Sequence, residues 1–127
     1  MLDDNIGGSM QIKKIIELLD ARVLCGEDKI ENSVHSACGC DMMSDVLAFV
    51  KDQAVLITGL CNPQVVRTAE MMDMRCIVFV RGKTPPPEVI NLANESGLVL
   101  LATSERMYVA CGKLYANGLP GGCNCDG

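Results

Sequence analysis

Apolar and polar residues follow two different rhythms along this chain, and the changes between them mark its elements. Over residues 10–20, Ile12, Ile15, Ile16 and Leu19 recur at helical spacing with Lys13, Lys14 and Glu17 opposite, which predicts an amphipathic helix. Arg22, Val23, Leu24 and Cys25 predict a short strand closed by Gly26. A polar turn over 27–32 leads into a second extended stretch at 33–40. Asp41 or Ser44 then caps a helix whose apolar face is Met43, Val46, Leu47 and Val50.

The rest of the chain repeats one unit three times. Continuous apolar runs at 55–57, 76–80 and 98–101 each lead through a short loop to a helical pattern, beginning near Pro63, near Pro87 and after Ser104. Strand, short loop and helix at regular intervals predict βα units in a largely parallel sheet. Runs that are apolar throughout rather than alternating predict strands covered on both faces. Pro63 and Pro87 suit first helical turns, and Gly97 and Gly118 suit helix C-termini. The fold class is therefore α/β: a single domain of three layers with a mostly parallel or mixed sheet flanked by helices.

Composition narrows the function. With 127 residues and 49% hydrophobic content there is material for one packed domain, and 11 basic against 16 acidic residues give a net charge of −5. A nucleic-acid module needs a basic face and aromatic platforms, and here there is no Trp, with two Phe and two Tyr. No apolar run approaches the ~20 residues of a membrane span, and no signal-peptide layout opens the chain. A soluble, cytoplasmic protein is expected. Residues 1–9, ending in Gly-Gly-Ser before a second Met, read as an expression-tag remnant; without Asp3 and Asp4 the charge moves from −5 to −3. Residues 10–119 form the domain, and 120–127 read as a flexible tail that carries cysteines.

Three segments taken in order, Ala21-Arg22-Val23-Leu24-Cys25-Gly26, Asp41-Met42-Met43-Ser44-Asp45-Val46-Leu47-Ala48 and Val55-Leu56-Ile57-Thr58-Gly59, resemble the DRTGG domain. The resemblance runs through nearly all of 10–119. It implies an α/β module like the N-terminal domain of HPr kinase, dimeric, and regulatory or accessory rather than catalytic. It also implies a setting among anaerobes, where stand-alone members are sometimes encoded beside iron hydrogenase genes, making iron–sulfur or hydrogenase-related proteins the expected partners. The name-giving residues are replaced: the loop after the first βα strand, where the family has its Asp-Arg pair, reads Thr58-Gly59-Leu60-Cys61-Asn62-Pro63, and the loop after the second, where it has Thr-Gly-Gly, reads Arg81-Gly82-Lys83.

Two candidate sites follow. The first is the crevice at the carboxyl ends of the βα strands, where Gly59, Arg81, Gly82, Lys83 and Thr103 could receive an anion or nucleotide. Gly82-Lys83-Thr84 lacks the upstream glycine of a phosphate loop. Turn-forming glycines, a capping Thr103 or Ser104 and solvated cations would account for the same residues. The second site rests on eight cysteines. Cys38-Gly39-Cys40 and Cys123-Asn124-Cys125 together supply four thiols, the number for an iron–sulfur cluster or a structural zinc, with Cys61 as alternate ligand. At a helix N-terminus the Cys61 thiol is expected to sit below its ordinary pKa. Cys25, Cys76 and Cys111 read as core, Cys111 in a stripe with Met107, Tyr108, Leu114 and Tyr115.

No catalytic constellation stands out. His35 is the sole histidine, Asp41 and Asp45 suit a helix start, and Glu70, Glu88, Glu95 and Glu105 suit solvated faces. Met42, Met43, Met71, Met72 and Met74 suit either a contact surface or core filling. The sequence thus predicts a non-catalytic homodimeric module holding an iron–sulfur cluster, or zinc, in a redox role. Its rival is a metal-free sensor of an anion or nucleotide at the strand ends.

Overall fold

The computed structural model of the chain describes residues 9–49 and 53–121. Five strands form the main sheet: β2 (Arg22–Cys25), β4 (Ser36–Gly39), β5 (Ala54–Thr58), β6 (Cys76–Phe79) and β7 (Val99–Ala102). Their order is β2-β7-β6-β5-β4, with β4 through β7 parallel and β2 antiparallel to β7. Two short strands, β1 (Met10–Gln11) and β3 (Ser33–Val34), make a separate antiparallel pair. The helices are α1 (Ile12–Leu19), α2 (Met43–Phe49), α3 (Pro63–Met71), α4 (Pro87–Glu95) and α5 (Met107–Ala116).

Strand side chains alternate between two cores. Val55, Ile57, Val78 and Leu101 pack with Ile12, Ile15 and Leu19 of α1 and Ala110 and Leu114 of α5. Leu56, Ile77, Phe79 and Leu100 pack on the other face with Val46 of α2, Val65 and Val66 of α3, and Val89 and Ala93 of α4. Burial on both faces explains the unbroken apolar runs, and each fully buried Ile or Leu contributes roughly 1.5–3 kcal/mol. This is the expected three-layer α/β domain.

Local differences have local causes. The first helix starts at Ile12 rather than residue 10, because Met10 and Gln11 are drawn into pairing with Val34 and Ser33. It ends at Asp20, which takes a left-handed φ of 49°. Asn62 caps α3 through its side chain, which accepts from the Val65 N–H, and Pro63 sits in the first turn as expected. Gly97 and Gly118, with φ of 78° and 101°, follow α4 and α5. The supposed stripe on α5 divides: Leu114 is buried, whereas Tyr108 and Tyr115 are exposed. Residue 120 is held at the sheet, its carbonyl accepting from the Ala37 N–H at 2.9 Å, and Gly121 bridges to Ala37.

Candidate functional site

The carboxyl ends of β5, β6 and β7 face one side of the domain, where the chain leaves the sheet for α3, α4 and α5. α4 lies on one face of the sheet and α5 on the other, so the loops after β6 and β7 diverge there. Backbone hydrogen bonds tie these loops together: Arg81 N–H donates to the Glu105 carbonyl at 2.8 Å, and Gly82 N–H to the Thr103 carbonyl at 2.9 Å. Arg81 and Gly82 both have left-handed backbone, with φ of 63° and 70°. For arginine that conformation costs about 1–2 kcal/mol, held here by the two hydrogen bonds.

On the β5 side of this turn sits an acidic anchor. Asp41, on the loop after β4, accepts from the Thr58 hydroxyl at 2.7 Å and from the Gly59 N–H at 2.8 Å, both at Oδ1. The Gly59 N–H and the Thr58 hydroxyl hold the Asp41 carboxyl below its ordinary pKa, and the charges of Arg81 and Lys83 add to the effect. The Arg81 guanidinium lies across Gly59 so closely that a Cβ there would be 2.8 Å from Nη2. Asp41 does not cap α2 through these contacts, since its bonding oxygen is turned to β5.

On the opposite side of the turn is a hollow of about 330 Å³ lined by Asp20, Arg22, Gly82, Thr103 and Ser104, among others. Arg22 is oriented there by donating from Nη2 to the Thr84 hydroxyl at 2.8 Å. Thr103 is buried, and its hydroxyl donates to the Leu19 carbonyl at 2.6 Å while accepting from the Glu105 N–H. Its hydroxyl is thus spent inside the fold and fixes the loop. α5 is capped by neither Thr103 nor Ser104; its N-cap position is Arg106, which makes no side-chain cap bond. Of the five strand-end residues singled out by sequence, Gly59, Arg81 and Lys83 gather around Asp41, while Gly82 and Thr103 line the hollow. Asp41 and Arg22 were missed as site residues; Asp41 read as a cap, and Arg22 as part of a strand.

The cysteine site does not form among the described residues. Among the described residues no three His, Cys, Asp or Glu side chains are placed to hold a metal ion, which overturns the iron–sulfur cluster and its zinc alternative. Cys123 and Cys125 lie outside the described residues. The remaining candidates are occupied otherwise. Cys38 packs against the α2–α4 core, and burial pushes its thiol up to about 11, with Cys40, Cys111 and Asp45 adding to the shift. Cys40 bonds with its own loop, its sulfur accepting from the Met42 N–H at 3.3 Å. Cys61 faces the Gly59 carbonyl at 3.8 Å. Its thiol is raised, against the expectation for a helix start, because burial outweighs the opposing pull of Lys83 and Arg81. The redox role rested on that cluster and falls with it.

Elsewhere, His35 is exposed between β3 and β4, and Cys76 is fully buried in the core. Among the described residues no helix is long and apolar enough to cross a membrane.

The sequence profile described as "DRTGG domain" matches residues 14–115. No curated protein matches the chain. Among solved structures, the chain is similar to the CBS and DRTGG domains of the regulatory region of a Clostridium perfringens pyrophosphatase, crystallised with its activator diadenosine tetraphosphate. The TM-score is 0.72 at 17% identity, with 94% of this chain and 53% of that one covered. This chain thus spans about half the length of that one, and the likeness is one of fold.

Proposed function

Because this chain belongs to the DRTGG domain family, we propose that it is a sensing module that binds a phosphate-bearing nucleotide or similar anion at the carboxyl ends of β5, β6 and β7. DRTGG domains are non-catalytic regulatory modules, and this chain is one of them. The observation that carries the ligand reading is the gathering of Arg81 and Lys83 at one strand-end face, with Arg22 across the turn, in a chain of net charge −5. Arg81 offers a planar fork for two phosphate oxygens and Lys83 a point charge. Asp41 anchors the loop and can accept from a ribose hydroxyl or a base amine, a combination that suits a nucleotide better than a bare anion. Gly82 lets the backbone approach the ligand, and Thr103 holds the loop in place.

The pyrophosphatase fragment carries a dinucleoside polyphosphate as its activator, which supports trying that ligand class here. In this reading the working form is a cytoplasmic homodimer. The exposed Met42 and Met71 supply adaptable apolar contact for it. Residues 10–119 are the functional unit, and 1–9 a tag remnant.

The test is thermal unfolding of the whole chain against adenine and guanine mono-, di- and triphosphates, diadenosine tetraphosphate and inorganic phosphate. A bound ligand at 100 times its Kd adds about 2.7 kcal/mol. A rise in Tm with at least one nucleotide is expected; no shift with any of them contradicts the reading.

A further inference from the structure

β6 and β7 begin at the end of the sheet opposite the strand-end face, and α3 and α4 terminate beside them. A hollow of about 370 Å³ opens there, with Lys29, Glu70, Asp73 and Arg75 in its wall and the buried Leu98 beneath them. Two cations against two carboxylates leave this wall without net charge.

The opposite charges are not spent on each other. Among the described residues Glu70, Asp73 and Arg75 form no ion pair, and Lys29 meets the exposed Asp28 at 3.5 Å, a surface contact that contributes little. Arg75 is half-buried and fixed at both its ends. Its backbone N–H donates to the Ala54 carbonyl at 3.2 Å and its carbonyl accepts from the Val99 N–H at 3.1 Å. Its Nη1 donates to the Ser33 carbonyl at 2.8 Å, which orients the guanidinium and leaves the rest of its donor fork for a guest. Lys29 runs alongside Gly97, its Cε 4.0 Å from where a Cβ would stand.

The acidic side is set by one turn. Asp73 takes a left-handed φ of 57°, and its N–H donates to the Glu70 carbonyl at 3.2 Å, so the two carboxylates leave the end of α3 together. Glu70 near the end of α3 and Ser96 at the end of α4 both line the hollow. The negative ends of two helix dipoles therefore add to the attraction for a cation on that side.

We propose that this hollow binds a free amino acid. Its carboxylate lies against Arg75 and Lys29, its ammonium against Glu70 and Asp73, and its carbon stem over Leu98. A bare anion would meet the two carboxylates and a bare cation the guanidinium, whereas a guest with both signs satisfies both walls. The volume stands at the small end of ligand sites, which suits a molecule of this size better than a nucleotide. The site shares no residue with the strand-end face and does not depend on the nucleotide reading.

Amide NMR of the full chain, titrated with each proteinogenic L-amino acid and separately with acetate and methylammonium, tests the proposal. At least one amino acid should give saturable shifts at Ser96, Gly97 and Leu98 by about 10 mM, within reach of a millimolar Kd, and neither half-molecule should. Arg75→Gln and Asp73→Asn should each weaken that binding by about tenfold or more. Asparagine tolerates left-handed backbone, so the second variant keeps the turn even where the first disturbs the fold. No saturable shift with any amino acid, shifts confined to the strand-end face, an equal response to acetate, or unchanged affinity in Asp73→Asn would each overturn the proposal.

Discussion

Asp41 accepts a 2.7 Å hydrogen bond from the Thr58 hydroxyl, joining the loop after β4 to the end of β5. The same oxygen takes the Gly59 N–H, so one carboxylate fixes the start of the loop over which Arg81 lies. The fold uses Asp41 to hold two neighbouring strand ends in position and to balance the cations beside them.

This anchor has a pH signature. The Gly59 N–H and the Thr58 hydroxyl, ahead of Arg81 and Lys83, depress the Asp41 pKa in the folded state below its ordinary 3.8. A depressed acid contributes stability that is complete above its unfolded pKa and fades as pH falls through the folded one. Urea unfolding between about pH 6 and 2.5 should therefore show a shallower acid-side loss for Asp41→Asn than for the parent chain. Parallel curves would contradict the assignment.

Arg81 should separate stability from binding. Its left-handed φ of 63° is unfavourable for a side chain, and glycine would remove that cost while loosening the unfolded chain. Arg81→Gly is expected to change unfolding free energy by no more than about 1 kcal/mol. Nucleotide-dependent stabilisation should nonetheless be lost. Thermal unfolding with and without ligand measures both.

Thr103 should behave in the opposite way. Its hydroxyl bridges the Leu19 carbonyl and the Glu105 N–H in a buried setting. Thr103→Val leaves both without that partner and should cost about 1–3 kcal/mol in urea unfolding. Ligand affinity in the folded protein should change far less than in Arg81→Gly.

The layers of this fold were legible because the strands are apolar on both faces and the helices on one. The three βα units and the prolines opening α3 and α4 followed from that. The site was less legible, because its partners come from separate strands. Nothing local to Asp41 shows that its carboxylate turns to Thr58 and Gly59 rather than to its own helix. The cysteines misled for a related reason. A Cys-Gly-Cys segment puts both thiols on one side of an edge strand, and that side is packed: Cys38 and Cys40 lie against the α2–α4 core. Thiol spacing cannot report burial.

Thiol chemistry checks that correction. With its pKa pushed up to about 11, Cys38 should react with iodoacetamide at pH 8 far more slowly than a free cysteine. Cys76, fully buried, should react only once the chain unfolds. Peptide-resolved alkylation rates give both values, and rapid labelling of Cys38 would restore a reactive-thiol reading of that segment.

Calorimetric titration of the nucleotide that most raises Tm, into the parent chain and into an Arg81→Ala, Lys83→Ala double variant, tests the central claim most directly. Saturable binding to the parent that weakens as salt increases is predicted, with a loss of at least about tenfold in affinity in the variant, since hydrogen bonds to charged groups are each worth about 1.5–3 kcal/mol. Equal affinity in the two proteins would place the ligand elsewhere and contradict the account.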